Sequence, residues 1–432
     1  MPGKLLVKGR VQILGVTEDG FIPYLLLAAG QARLEVLDTK TNTSIHVGAA
    51  PFGSRVAVRG KTIALWTTPL GNVWSGLTVW SAANGVARAP AGATSIAPLL
   101  AANAGGTRIA MAWGDLGDPL GITNVATAGS KLDEAPEIVV PHVVTGTAAK
   151  ACTPAMRFAG ARLFVASCEG SQTSATVRTI SETNEVTTLA DGVLANGDAT
   201  FSTDDAGHKV FVVDGEAKGA VHSVPANEVT PIASNVASGM LLPDGNAVLY
   251  TTSAGSLVRA TTSMPVGATP LVAAGAREVL LVSPDGQHAI VASEGPSLHD
   301  LKLASTSVAA PLVTLVATAS GVPIGFTRSG RHFLYLSDVA PSDSSTAKVR
   351  AHVMASGEDI TLGANVTSLA LMDEERRALV GEVRGSASDL KLVDLETGSS
   401  VPLANGVYTA TAYRRTAYYS VGFAGLYSID LD

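Results

Sequence analysis

The sequence predicts an all-β fold, a β-propeller of about ten four-stranded antiparallel blades in one ring closed by the N-terminal strand. Three observations carry that expectation: a hairpin phrase that recurs about every 44 residues, apolar runs of strand length after each copy, and chain ends that complement one another.

The phrase is clearest at Leu242-Pro243-Asp244-Gly245 and Ser283-Pro284-Asp285-Gly286. Proline presets the first turn residue, aspartate bonds back to nearby backbone, and glycine takes the positive φ that reverses the chain. Gly20, Gly60, Gly106, Gly160, Gly207 and Gly330 mark further copies, and Glu375-Arg376 and Arg414-Arg415 keep the spacing without glycine. The aspartates Asp19, Asp205, Asp244 and Asp285 are accounted for by these turns rather than by an acidic site.

After each turn comes a short apolar run with a small polar end, as at 247–252, 288–293 and 332–337. Runs of this length, bounded by turn signals and without helical period, read as strands. An alternating third segment follows, as at 389–395, and then a weaker fourth, as at 229–233. The last repeat has only three strands, ending at 425–432, whereas the chain begins with a spare one at 4–8. Pairing the two completes the last blade and removes exposed edges. A single domain spanning 1–432 is expected, with two smaller propellers as the alternative.

Composition bounds the partners. A formal net charge of -7 leaves no basic footprint for nucleic acid, and no apolar stretch reaches membrane-spanning length. Met1-Pro2-Gly3 is not an export signal. Cys152 and Cys168 lie symmetrically about Gly160, so a hairpin centred there would set them opposite one another for a disulfide. That pairing favours an extracytoplasmic location with the signal absent from this chain; a cytoplasmic location is the alternative.

The phrases at 242–245 and 283–286, each followed by an apolar strand and a Gly-Ser-Leu or Pro-Ser-Leu segment, resemble the WD40-like repeats of the TolB family and of prolyl oligopeptidase propellers. The resemblance is weaker at 326–330 and implies a propeller scaffold. No Trp-Asp dipeptide of true WD40 repeats occurs.

No nucleophile elbow, zinc-binding His-Glu-x-x-His, phosphate loop or Cys-x-x-Cys pair is present, so neither a metal nor a cofactor is expected. His208, His288 and His332 follow turns and read as surface residues. Candidate contacts lie where the repeat is interrupted. The connection 69–75 carries Trp74, the connection 115–120 carries Asp115 and Asp118, and the loop 338–346 carries Asp338 and Asp343. Long loops bearing aromatics and carboxylates on a rigid frame suit a protein, peptide or glycan partner. The function expected is a non-catalytic binding or assembly scaffold; a glycan lyase or hydrolase with a site at the channel mouth is the alternative.

Overall fold

The computed structural model describes residues 3–28, 30–51, 53–67, 74–88, 94–95, 100–112, 120–124, 138–140, 155–168, 174–194, 200–293, 298–340, 347–372, 375–385 and 387–431. Every regular element among them is a β-strand, and every named strand pairing is antiparallel. The sixth repeat shows the common plan. Its strands Val236–Leu241, Ala247–Thr252, Leu257–Thr261 and Ala268–Val272 pair in sequence order, so each meets only its neighbours in the chain. Five sheets are four-stranded in this way, and the second repeat forms a five-stranded variant.

Two seven-stranded sheets depart from the expected separation. In each, one long strand serves two consecutive repeats. Val313–Phe326 pairs with the seventh repeat through its first part and with the eighth through its second; Ser400–Tyr413 does the same for the ninth and tenth. Asn405-Gly406 lies within the second of them, with Gly406 at φ 71°, and the strand runs on through it.

The chain ends meet as expected. Lys4–Lys8 pairs antiparallel with Gly425–Asp430, setting Lys4 opposite Ser428 and Lys8 opposite Gly425. Gly3 N–H also donates to the Tyr419 hydroxyl at 3.0 Å.

Side-chain alternation explains why the second strands are apolar throughout. Along Ala247–Thr252, Val248 and Tyr250 pack with Phe211 of the fifth repeat, whereas Ala247 and Leu249 pack with Val279 and Val291 of the seventh. Two-residue periodicity sends successive side chains to opposite faces, and here both faces are covered. Burying each large side chain contributes about 1.5–3 kcal/mol before entropy is counted. A comparable cluster joins the last repeat to the first, where Tyr418 and Leu426 pack with Val11, Ile13, Ile22 and Tyr24.

The turns between first and second strands lie together at one end of the repeats, here called the tip end. All eight anchoring glycines have positive φ, and Glu375 and Arg414 take the same left-handed conformation at φ 50° and 53°. Two loop geometries fill the positions that looked alike in sequence. In repeats 2, 4 and 10 the hairpin closes over two residues, with Arg59 opposite Thr62, Ala159 opposite Arg162 and Tyr413 opposite Thr416. The Pro-Asp-Gly type is longer, closing with Gly245 N–H to Leu242 O at 2.9 Å and Gly286 N–H to Ser283 O at 2.8 Å.

Neighbouring tips touch. Asp205 N–H donates to Pro243 O at 3.0 Å, and the Glu375 carboxylate accepts from Arg328 N–H and Ser329 N–H, both at 2.6 Å. Arg328 and Glu18 approach to 3.9 Å, joining tips of repeats 8 and 1, which are not consecutive. Of the turn aspartates, Asp244 and Asp285 each accept from the amide two residues on, and Asp19 accepts from Thr17. In the fifth repeat the preceding Asp204 does this work instead of Asp205, accepting from His208 and Lys209 N–H at 2.8 Å each.

The fourth strands carry the exposed edges. Pro231, Pro270 and Pro402 sit within them, opposite Ala220, Val258 and Lys391. A residue without N–H blunts an edge against further strand addition.

Candidate binding surface

The end opposite the tips carries the connections from second to third strands and from each repeat into the next. Asp338 lies there, after the strand His332–Ser337, in a left-handed conformation at φ 60°. Lys348 Nζ is 3.1 Å from its carboxylate, and the Ser337 hydroxyl donates to it at 3.4 Å. The Lys348 ammonium holds the Asp338 carboxyl below its usual range. Arg350 Nε in turn donates to Ser337 Oγ at 3.0 Å. Trp74 is not on a loop as expected: it opens the strand Trp74–Ser81, opposite Ser95, because the second-to-third connection ends before it. Asp115, Asp118, Asp343 and Cys152 lie outside the described residues.

The hairpin that carries Cys168 is centred between Gly160 and Ala161, so that Ala159 faces Arg162 and Ala155 faces Ala166. Cys168 ends the strand Arg162–Cys168, opposite Ala175 of the third strand.

Polar groups recur at this end in the seventh and ninth repeats. Asp300, 4% exposed, accepts from Ser293 N–H at 2.7 Å and meets Lys302 Nζ at 3.0 Å. Lys391 Nζ is 3.0 Å from Glu382 Oε1, and that oxygen also accepts from Ala364 N–H at 3.0 Å across the boundary between repeats 8 and 9. Each carboxylate is met by a cation and a donor that hold it in place, as buried or half-buried charges require. Deeper in the eighth repeat, Asp359 accepts from the Tyr335 hydroxyl at 2.8 Å and lies 3.0 Å from His352 Nδ1. Burial and the carboxylate raise the Tyr335 pKa; for Asp359, the His352 and Tyr335 bonds outweigh burial and lower it.

His332 differs from its expected surface position. It is 1% exposed, and neither ring nitrogen has a hydrogen-bond partner among the described residues. Its backbone N–H follows the turn and bonds to Thr327 Oγ1 at 3.1 Å, while the ring points between the repeats. Burial lowers its pKa, as it lowers that of His222. His208 is exposed as expected.

The most exposed large apolar side chain among those described was not singled out by sequence. Phe423 is 77% exposed in the turn joining Thr416–Val421 to Gly425–Asp430. The Arg10 guanidinium lies over its ring, 5.2 Å from the centroid. Arg10 opens the first repeat's inner strand, Arg10–Ile13, just after the closing strand, and Gly9 N–H reaches Ala424 O at 3.5 Å. Tyr408, 51% exposed, stands beside them, its ring 3.7 Å from where a Cβ on Gly422 would lie. Tyr408 falls at an irregularity between Val407 and Thr409 in the ladder to the second strand, which re-aims its side chain. Its only sequence signal is an aromatic amid small residues, in a segment that reads equally well as an ordinary strand.

The inner strands carry little acid-base chemistry. Glu278 is the one carboxylate on the described inner strands, which contain no histidine. No group of three or more potential metal ligands occurs among the described residues.

Four-stranded antiparallel units packed face to face in chain order are the structural signature of β-propeller proteins. No family model matches the chain, and no curated protein matches it. Among solved structures it is similar to a eukaryotic initiation factor, with 12% identity over 96% of this chain and 89% of that one, at TM-score 0.47. It is also similar to the β-propeller domain of Cps50 (Swd1) from Myceliophteria thermophila, with 12% identity over 66% of this chain and 100% of that one, at TM-score 0.37. The β-propeller domain of the Trilobed protease from Pyrococcus furiosus is 10% identical over 65% of this chain and 95% of that one, at TM-score 0.34. Likenesses this distant carry no argument about chemistry.

Proposed function

We propose that the chain is a WD40-like, TolB-type propeller of ten blades in a single ring, acting as a non-catalytic scaffold that holds a protein segment where its first and last repeats meet. Support for one ring comes from that meeting: Thr409 Oγ1 of the tenth repeat accepts from Ile13 N–H of the first at 2.8 Å. The same kind of bond links consecutive repeats elsewhere, from Leu241 N–H to Ser202 Oγ at 3.0 Å and from Val279 N–H to Ser238 Oγ at 3.2 Å. The last repeat therefore treats the first as its next neighbour.

The observation that carries the binding role is Phe423, held exposed on a short turn beneath Arg10. Aromatic and arginine side chains are enriched at the centres of protein interfaces, and a rigid turn limits the entropy lost on binding. Among the described residues, inner strands with a single carboxylate and no histidine speak for binding over acid-base catalysis.

The test is selection of a phage-displayed random peptide library on the immobilised full chain and on the Phe423→Ala, Tyr408→Ala double variant. Enrichment on the first and its loss on the second is expected. Turnover of soluble glycans by the purified chain, unaffected by the double variant, would overturn the reading in favour of an enzyme.

A further inference from the structure

The surface around Phe423 has a charge of its own. The ends of repeats 10, 1 and 2 that surround it comprise 405–408, 421–425, 8–10, 26–33 and 48–55. Their described residues include Lys8, Arg10, Arg33 and Arg55 but no aspartate or glutamate. Lys8, Arg10 and Arg55 are exposed. Arg33 leans toward Glu35, at 3.8 Å. This occurs in a chain whose formal net charge is -7. Cations gathered at one place on an otherwise acidic molecule make a local field that repels the rest of its own surface and attracts an anion.

Position adds to composition. Arg10 and Arg55 are the first residues of the inner strands Arg10–Ile13 and Arg55–Arg59, so they occupy equivalent places in adjacent repeats. Core packing between those repeats, through Leu34, Val36, Ile63 and Leu65, fixes the two strands relative to one another. Phe423 and Tyr408 lie on the other side of Arg10, on the tenth repeat. The order across the surface is therefore aromatic, cation, cation.

We infer that this surface takes an extended acidic peptide segment, with an apolar side chain on Phe423 and Tyr408 and carboxylates on Arg10 and Arg55. The inference rests on the proposed binding role and specifies its partner. Guanidinium groups match carboxylates in a planar, two-bond geometry, and the aromatic floor gives the apolar side chain a dry contact. Attraction of this kind sets specificity and association rate, and it weakens with salt.

The experiment uses fluorescence anisotropy with the full chain and three labelled probes: an extended peptide containing glutamates and leucines, the same peptide with each glutamate replaced by glutamine, and an oligogalacturonate of similar charge. The acidic peptide is expected to bind roughly tenfold more tightly than its glutamine counterpart at low salt. Arg10→Gln with Arg55→Gln should remove that difference, Arg10→Lys with Arg55→Lys should keep most of it, and Phe423→Ala should weaken both peptides alike. Equal binding of the two peptides, still weakened by Phe423→Ala, would overturn the acidic partner while leaving the binding role intact. Binding of neither peptide, or binding indifferent to Phe423→Ala, would overturn both. Tighter binding of the oligogalacturonate than of the acidic peptide would overturn the peptide in favour of an anionic glycan.

Discussion

The first five repeats and the last five share their turns and cores but differ in the strand that begins each repeat. In repeats 6 to 10 the inner strand loses register with the second strand once, leaving Ala237, Leu280, Ile324, Thr367 and Tyr408 unpaired. In repeats 1 to 5 the described inner ladders run without interruption. Charge divides in the same way. The inner strands of the first half carry Arg10, Arg55, Arg59 and Arg157, whereas those of the second half carry Glu278 alone. The core clusters that hold repeats together are thus kept throughout, while the register and charge of the inner strand vary. Phe423, Tyr408 and Arg10 lie where the two halves meet through the closing strand.

The comparison can be broken most severely at that closure. Deleting residues 1–8 removes the pairing of Lys4–Lys8 with Gly425–Asp430, and we expect a loss of about 3 kcal/mol or more from the ladder and its packing. Hydrogen exchange should then show lost protection in repeats 1 and 10 together. If protection is lost in repeat 10 alone, the two ends are not coupled.

The next effect separates tightly from loosely packed tips. A Cβ on Gly160 would lie 2.4 Å from Ala206 O, and one on Gly207 would lie 2.2 Å from Ala159 O, both at positive φ. Gly160→Ala or Gly207→Ala should cost roughly 2–3 kcal/mol in denaturant unfolding, combining conformational strain with displaced backbone. In the second half, Arg414→Gly relieves a left-handed residue and should stabilise by up to about 1 kcal/mol. Glu375→Gly relieves the same strain but loses the two hydrogen bonds its carboxylate accepts from Arg328 N–H and Ser329 N–H, so it should destabilise.

A third test compares buried histidines, one in each half. His222 and His332 both have pKa values lowered from 6.5 by burial. The unfolded chain therefore binds protons at pH values where the folded chain does not. Their contribution is complete above about pH 6.5 and is lost as the pH falls below it toward the folded-state values. Unfolding free energy measured from pH 7.5 down to about 5 should fall less steeply for His332→Gln than for the unaltered chain. An unchanged slope would remove His332 as a source of acid sensitivity.

The smallest expected effect is at Asp338. Asn tolerates the left-handed conformation, so Asp338→Asn removes the charge while keeping the backbone. Because the carboxylate and Lys348 are both about half exposed, the change in stability should stay under about 1 kcal/mol. A larger loss would show that the polar groups of repeats 7 to 9 act as one network.

How much was legible follows from which interactions are local. The turn at Leu242-Pro243-Asp244-Gly245 could be read because its conformation is set by its own four residues, and Glu375 and Arg414 because spacing implied a turn whatever residue filled it. The continuous strands Val313–Phe326 and Ser400–Tyr413 could not, since only their pairing with two repeats at once shows that the strand runs on from one repeat into the next. His332 looked like a surface residue because exposure depends on the neighbouring repeat.

The sequence by itself determined the repeating strand pattern, the turn chemistry and the complementary chain ends, because each rests on residues close in the chain or on a simple periodicity. Only the tertiary structure decided that Arg10 and Phe423, from opposite ends of the chain, form one surface. Their contact depends on the closing strand and on the packing of the tenth repeat against the first, and no local spacing records it.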